Sequence, residues 1–332
     1  MSLTIQKAEL DKKGGFKRQS NKFNTPFGDD LGELPVEAGR YRILWSPVCP
    51  WAHRSIIVRS LLGLEDAISV GTADPIRPDV PRTDWAFTLD KDNVDPVLQI
   101  KYISEVYLNA DPNYEGRPTV PAVVDITTKK VVYNDYFKLT NYFETAWKKF
   151  HKPNAPNLYP EELRNDIDEL NDLIFHSVNN GVYKAGFAQS QEAYEKAYDE
   201  VFNFLDELEK RLENRRFLFG DYITDSDVRL YVTLARFDSA YYNGFRVNRN
   251  RLVEFRNLWG YARDLYQTPG FGDTTDFLSI KKHYHLSTIK GNKYKILPKG
   301  PDLSLWNTPH DRNLISKNPS QKFIVKNNIY LI

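Results

Sequence analysis

The chain has 332 residues, too many for one small core and enough for two compact domains with extensions. Hydrophobic residues make up 41% and charged residues 27%, which excludes a disordered chain; 45 basic against 44 acidic side chains leave a net charge of +1, which points away from nucleic acid and anionic membrane surfaces. The single cysteine allows no internal disulfide, and the opening residues 1–16 carry no apolar run of the secretory kind. No stretch has the length of a membrane span, so the expected address is cytoplasmic.

In chain order, residues 1–40 are polar and glycine-bearing and read as an irregular N-terminal extension laid over a domain surface. Regular structure is expected from Tyr41, where Arg42, Ile43, Leu44 and Trp45 read as a buried strand stopped by Ser46 and Pro47. Pro50 suits the first position of a helix, where a missing N–H costs nothing. Ile56, Ile57, Val58, Leu61 and Leu62 give that helix a broad apolar face, and Gly63 stops it. Ile68, Ser69 and Val70 predict a second strand, completing a β-α-β opening. A long insertion over 71–116 precedes strands at 119–124 and 130–133, and a helix over 135–147 closes a domain spanning 41–150. Pro153, Pro156 and Pro160 mark a linker.

Beyond the linker, helical spacing dominates. Leu163, Ile167, Leu170, Ile174 and Val178 fall on one helical face, and Tyr194, Ala197, Val201, Leu205, Leu208 and Leu212 on another. Thr224 to Asp227 spells a capping box opening a third helix through Leu234, a folding device worth about 1 kcal/mol. A helical domain is therefore expected over 151–290, followed by an irregular tail over 291–332. The apolar ending Ile329 to Ile332 suggests that the last residues dock.

The chemistry concentrates at Cys49. It lies between a strand end and a helix start, where unpaired N–H groups and the positive end of the helix dipole favour a thiolate; His53 and Arg54 add positive character. The alternative is a small buried hydrophobe, the ordinary fate of a cysteine. The order Cys49-Pro50-Trp51-Ala52 resembles the C-x-x-C of thioredoxin-like proteins with its second cysteine replaced. A disulfide formed at Cys49 must then be opened by an outside thiol. In such folds a cis-proline before a strand faces the cysteine, and Val120-Pro121 is placed for that role; a plain edge-strand proline is the alternative. Twenty tyrosines suit either a large core or a pocket for an oxygenated aromatic ligand. The six histidines show no metal-ligand spacing, with His283 and His285 read as packing or solvated, and no Gly-rich phosphate loop follows a strand. Neither a metal nor a nucleotide cofactor is expected.

Residues 40–64 resemble the catalytic segment of the glutathionyl-hydroquinone reductases, the Xi class of glutathione transferases. The likeness continues through Phe16 to Ser20 with Phe23, Trp85 to Phe87, Arg117 to Pro121, 181–188, 229–238 with Tyr241, 257–266, and Ile280 to Tyr284, about residues 16–301 in all. The resemblance implies the glutathione-transferase fold, an α/β thioredoxin-like N-terminal domain plus an all-α C-terminal domain, and a homodimer. It implies an enzyme in which Cys49 attacks the sulfur of a glutathionyl-hydroquinone, keeps glutathione as a mixed disulfide, and is freed by a second glutathione, the co-substrate. By the same resemblance Tyr183, Tyr241 and Tyr284 surround the quinone ring, and Trp85, Arg117, Val120 and Pro121 contact glutathione. The family's Asn-Glu-Ser before the closing helix is here Asn134-Asp135-Tyr136. Asp135 keeps the charge on a shorter arm and Tyr136 replaces a small hydroxyl. A different low-molecular-weight thiol is therefore one alternative, and a non-catalytic transferase-like interaction module is another.

Overall fold

The computed structural model describes residues 9–78, 83–288 and 292–325. It divides into two compact units, described separately: the first combines Gln19–Pro153 with Leu278–Ile296, the second Asn154–Phe277 with residues 9–18 and 297–325.

The first unit is built on a four-stranded sheet in the order β2-β1-β3-β4. Strand β1 (Tyr41–Trp45) pairs in parallel with β2 (Ile68–Thr72), and α1 (Pro50–Leu62) makes the crossover between them. β1 also pairs antiparallel with β3 (Ala122–Asp125), which in turn pairs antiparallel with β4 (Lys130–Tyr133). Every residue of β1 is buried, as its unbroken apolar run requires of a central strand. The exception in chemistry, Arg42, is neutralised by Asp95 at 2.8 Å, which also accepts from the N–H groups of Val97 and Leu98. Gly63 ends α1 in the left-handed conformation at φ 71°, and a Cβ there would press into the side chain of Lys152 at 2.6 Å.

The connection after β2 contains α2 (Ile103–Ala110), whose side chains meet β4. The closing helix starts later than its sequence suggests, with α3 confined to Leu139–Glu144 and a 3₁₀ segment at Ala146–Phe150. The cause lies in Asp135. Its carboxylate accepts the Phe137 N–H at 3.0 Å in an Asx turn, so the chain turns before the helix begins.

Residues 9–40 are irregular, but they do more than cover a surface. Phe27 is buried in the first unit, with ring centroids 5.4 Å from Tyr41 and Tyr133 and 5.9 Å from Trp147. Phe16 is buried in the second, edge-on to Phe187 at 5.3 Å.

The second unit is helical: α4 (Arg164–Ile174), α5 (Gly181–Phe187), α6 (Gln191–Arg211), α7 (Asp225–Arg236), the single turn α8 (Tyr242–Gly244) and α9 (Arg256–Tyr266), with α10 (Phe277–Lys282) leading back to the first unit. Three of these helices continue into π-turns, at Phe175–Asn179, Phe237–Tyr241 and His283–Thr288. The capping box at α7 forms as expected, with Asp227 accepting from the Thr224 N–H at 2.7 Å. The described residues of the tail carry two 3₁₀ turns and a bridge from Val325 to Pro156, and they dock on this unit. Arg216 and Lys322 both grip the buried Asp264, each at 2.7 Å, and Trp306 sits against Trp259, Tyr266 and Phe277. The ending Ile329 to Ile332 lies outside the described residues.

Candidate active site

Cys49 is the N-cap of α1, with extended backbone at φ −81°, ψ 115°. Two hydrogen bonds fix it there: its N–H donates to Ser46 O at 3.0 Å, and its carbonyl accepts from His53 at 2.9 Å. Its side chain does not cap the helix. The thiol instead donates to the carbonyl of Val120, with Sγ 3.2 Å from the oxygen. The Val120-Pro121 peptide is cis, as the position of that proline suggested. Cys49 retains 9% exposure, a sliver of access on an otherwise buried sulfur.

The loop carrying Val120 is held by Tyr107 of α2. Its hydroxyl donates to Thr119 O at 2.8 Å and accepts from Asn134 Nδ2 at 3.3 Å. Burial drives its pKa up to about 12, so it remains a donor across the working range. Asn134 is itself paired with the backbone of Phe23 in both directions. Next to this loop, Arg117 has its backbone clamped by the Gln19 amide, which donates to Arg117 O at 2.9 Å and accepts from Arg117 N at 3.1 Å.

Trp85 is buried, with the Arg77 guanidinium 4.8 Å above its ring and the His283 imidazole stacked at 5.5 Å and 17°. His283 is anchored through Nδ1 to Pro75 O at 2.7 Å and meets the ring of Tyr284 edge-on at 5.2 Å. Both His283 and His285 are buried side chains rather than solvated ones.

Asp135 accepts from Asn21 Nδ2 at 3.1 Å besides its own turn. The Tyr136 ring lies 5.0 Å from Trp51, and Arg54 donates to Tyr136 O at 3.2 Å. The first turns of α1 thus take up the large Tyr136 ring.

The remaining two tyrosines belong to the second unit. Tyr183 on α5 and Tyr241 in the π-turn after α7 point their hydroxyls at each other across 3.4 Å, with Phe245 packed on both rings. So the structure joins Cys49 to the Val120 carbonyl, Trp85 to Tyr284 through His283, and Tyr183 to Tyr241. Sequence reasoning gave no role to the residues that hold these groups: Tyr107, Asn134, Gln19 and Arg77. Gln19 and Asn134 reach partners about a hundred residues away, and Tyr107 and Arg77, whose partners are nearer, lie in stretches without a periodic pattern that would mark them. Among the described residues no three histidine, cysteine or carboxylate side chains cluster as a metal site, and no helix is long and apolar enough to cross a membrane.

Comparison with known proteins identifies the family. The family model for the N-terminal domain of glutathione S-transferase matches residues 48–146, and that for the C-terminal domain matches 191–264. The glutathionyl-hydroquinone reductase YqjG of Escherichia coli is 38% identical over 310 residues, 91% of this chain and 93% of its own. Its glutathione-bound structure superposes with a TM-score of 0.81 at 38% identity, covering 88% of this chain and 96% of that one. A glutathione transferase from Gordonia bronchialis is 49% identical with a TM-score of 0.83, over 88% of this chain and 91% of that one. The Xi glutathione S-transferase of Phanerochaete chrysosporium reaches 37% and 0.84, over 90% and 96%. The chain is therefore an enzyme of the glutathionyl-hydroquinone reductase family, the Xi class of the glutathione transferases.

Proposed function

We propose that this enzyme removes glutathione from glutathionyl-hydroquinones through a mixed disulfide on Cys49. The observation that carries the reading is the Cys49 thiol at the N-terminus of α1, 3.2 Å from the carbonyl that precedes a cis-proline. The positive end of the α1 dipole favours ionisation once the thiol gives up its bond to Val120 O, and cysteine is absent from the rest of the chain. The thiolate attacks the glutathione sulfur, the sulfur–carbon bond breaks, and the aromatic carbon leaves with the bonding electrons and takes up a proton. A second glutathione thiolate then attacks the mixed disulfide, releasing Cys49 and oxidised glutathione.

Site roles follow from the family likeness and the local packing. Val120 and Pro121 present backbone to the glutathione cysteinyl group, and Arg117 faces a carboxylate of the tripeptide. Trp85, held by Arg77 and His283, supplies a rigid wall. Asp135 at the turn before α3 takes the γ-glutamyl amine. Tyr183, Tyr241 and Tyr284 bind the ring oxygens and deliver the proton. The enzyme works as a homodimer in the cytoplasm.

A second reading keeps the chemistry and changes the thiol. Asp135 already accepts two hydrogen bonds, and Tyr136 fills space beside Trp51, which favours a smaller recognition site. Thermal stabilisation separates the two readings. Glutathione is expected to raise the melting temperature more than γ-glutamylcysteine or cysteine at equal concentration, and turnover to release one oxidised glutathione per hydroquinone. Greater stabilisation by a non-glutathione thiol, with that thiol also supporting turnover, would establish the second reading.

A further inference from the structure

The N-terminal segment lies outside both matched domain models, yet it delivers a charge to one of the tyrosines. Residues 9–18 fold onto the second unit. Ser190 donates to Lys13 O at 2.8 Å, Gln189 N donates to Gly14 O at 2.9 Å, and Phe16 meets Phe187. These contacts fix the next two residues. Arg18 then places its guanidinium 4.9 Å from the centroid of the Tyr183 ring. Its Nε and one terminal nitrogen both donate to Asn180 Oδ1, at 3.0 and 2.9 Å, so the group is held by a fork and not left to swing. Asn180 directly precedes α5, and its carbonyl accepts from the Tyr183 N–H at 3.1 Å. One residue thus ties the charge and the tyrosine backbone together.

We propose that Arg18 is a positioning residue for Tyr183, orienting its ring and stabilising the negative charge that its oxygen acquires on giving up a proton. This rests on the reading that Tyr183 protonates the departing aromatic carbon. In that step the Cys49 sulfur bonds to the glutathione sulfur, the sulfur–carbon bond breaks, and the electron pair on carbon takes the Tyr183 proton. The products are the mixed disulfide, the hydroquinone and a tyrosinate. A guanidinium within about 6 Å of the ring favours that tyrosinate over the neutral phenol. The adjoining Tyr241 carries an ionisable hydroxyl, whereas Phe187 and Phe245 carry none.

The test compares Arg18→Met, Arg18→Lys and Tyr183→Phe in full-length enzyme turning over glutathionyl-menadiol across pH 6 to 10. For Arg18→Met, plateau kcat is expected to fall about tenfold and the alkaline limb of its profile to move up by about one pH unit. Arg18→Lys, which keeps the charge and loses the fork, is expected to restore the limb and only part of the plateau. Melting curves and the alkylation rate of Cys49 check that each variant is folded. A plateau that falls with the limb unmoved would reduce Arg18 to a packing residue and overturn the proposal. Full turnover by Tyr183→Phe would overturn both it and the proton-donor reading. Loss of turnover in Tyr183→Phe with none in Arg18→Met would overturn the Arg18 role alone.

Discussion

Cys49→Ser is expected to reduce reductase turnover to the uncatalysed background, a loss of roughly a thousandfold or more. The substitution is nearly isosteric, and a serine hydroxyl at the N-cap position can donate to Val120 O as the thiol does. Stability is therefore expected to stay within about 1 kcal/mol of the unaltered protein. Chemistry, in contrast, has no substitute. An alkoxide is not formed at neutral pH without a base, and oxygen cannot store glutathione as a disulfide. Steady-state turnover of glutathionyl-menadiol, with melting temperatures measured alongside, checks both halves. Substantial residual turnover in a folded Cys49→Ser protein would remove Cys49 from the mechanism.

The largest stability effect is expected at Asp227→Asn. The buried carboxylate accepts from four donors: Leu218 N–H and Tyr261 O–H on one oxygen, Thr224 N–H and Oγ1–H on the other. An asparagine offers one oxygen and turns an NH₂ toward groups that are themselves donors. About 2–4 kcal/mol is expected to be lost from unsatisfied buried groups. The pH dependence carries a further signature. Burial outweighs the hydrogen bonds and pushes Asp227 up to about 6, from an ordinary 3.8. An acid whose folded pKa is raised binds its proton more tightly when folded. Its contribution is therefore most favourable below pH 4 and declines as the pH rises through 6. That decline amounts to roughly 3 kcal/mol at about 1.4 kcal/mol per unit. Urea unfolding at a series of pH values is expected to show this decline in the unaltered protein and not in Asp227→Asn. Parallel profiles would contradict the assignment.

The sequence made much of the fold legible where one local pattern decides the outcome. The unbroken apolar run of β1, Pro50 and Gly63 bracketing α1, and the capping box of α7 each specify their element without help from distant residues. The cis peptide at Val120-Pro121 was readable because a proline entering an apolar strand needs a reason. Harder to read were features set by competition or by distance. The late start of α3 reflects Asp135 bonding its own turn, an option open to any aspartate before a helix. The three π-turns keep helical periodicity to within a residue, so apolar spacing does not distinguish them from α-helix. Phe27 sits in a polar stretch and is buried through four aromatic partners that come from β1, β4 and the α3 region. At the site, Cys49 was marked by its neighbours in sequence. Trp85 is held by Arg77 nearby and by His283, almost two hundred residues away, a partnership visible only once the chain is folded.

The most direct test of the central claim is the intact mass of the reduced protein after mixing with glutathionyl-menadiol. A single added glutathione, absent from Cys49→Ser and removed by fresh glutathione, is the predicted result. No adduct at any time, in protein whose Cys49 still reacts quickly with a small alkylating reagent, would contradict the mixed-disulfide mechanism.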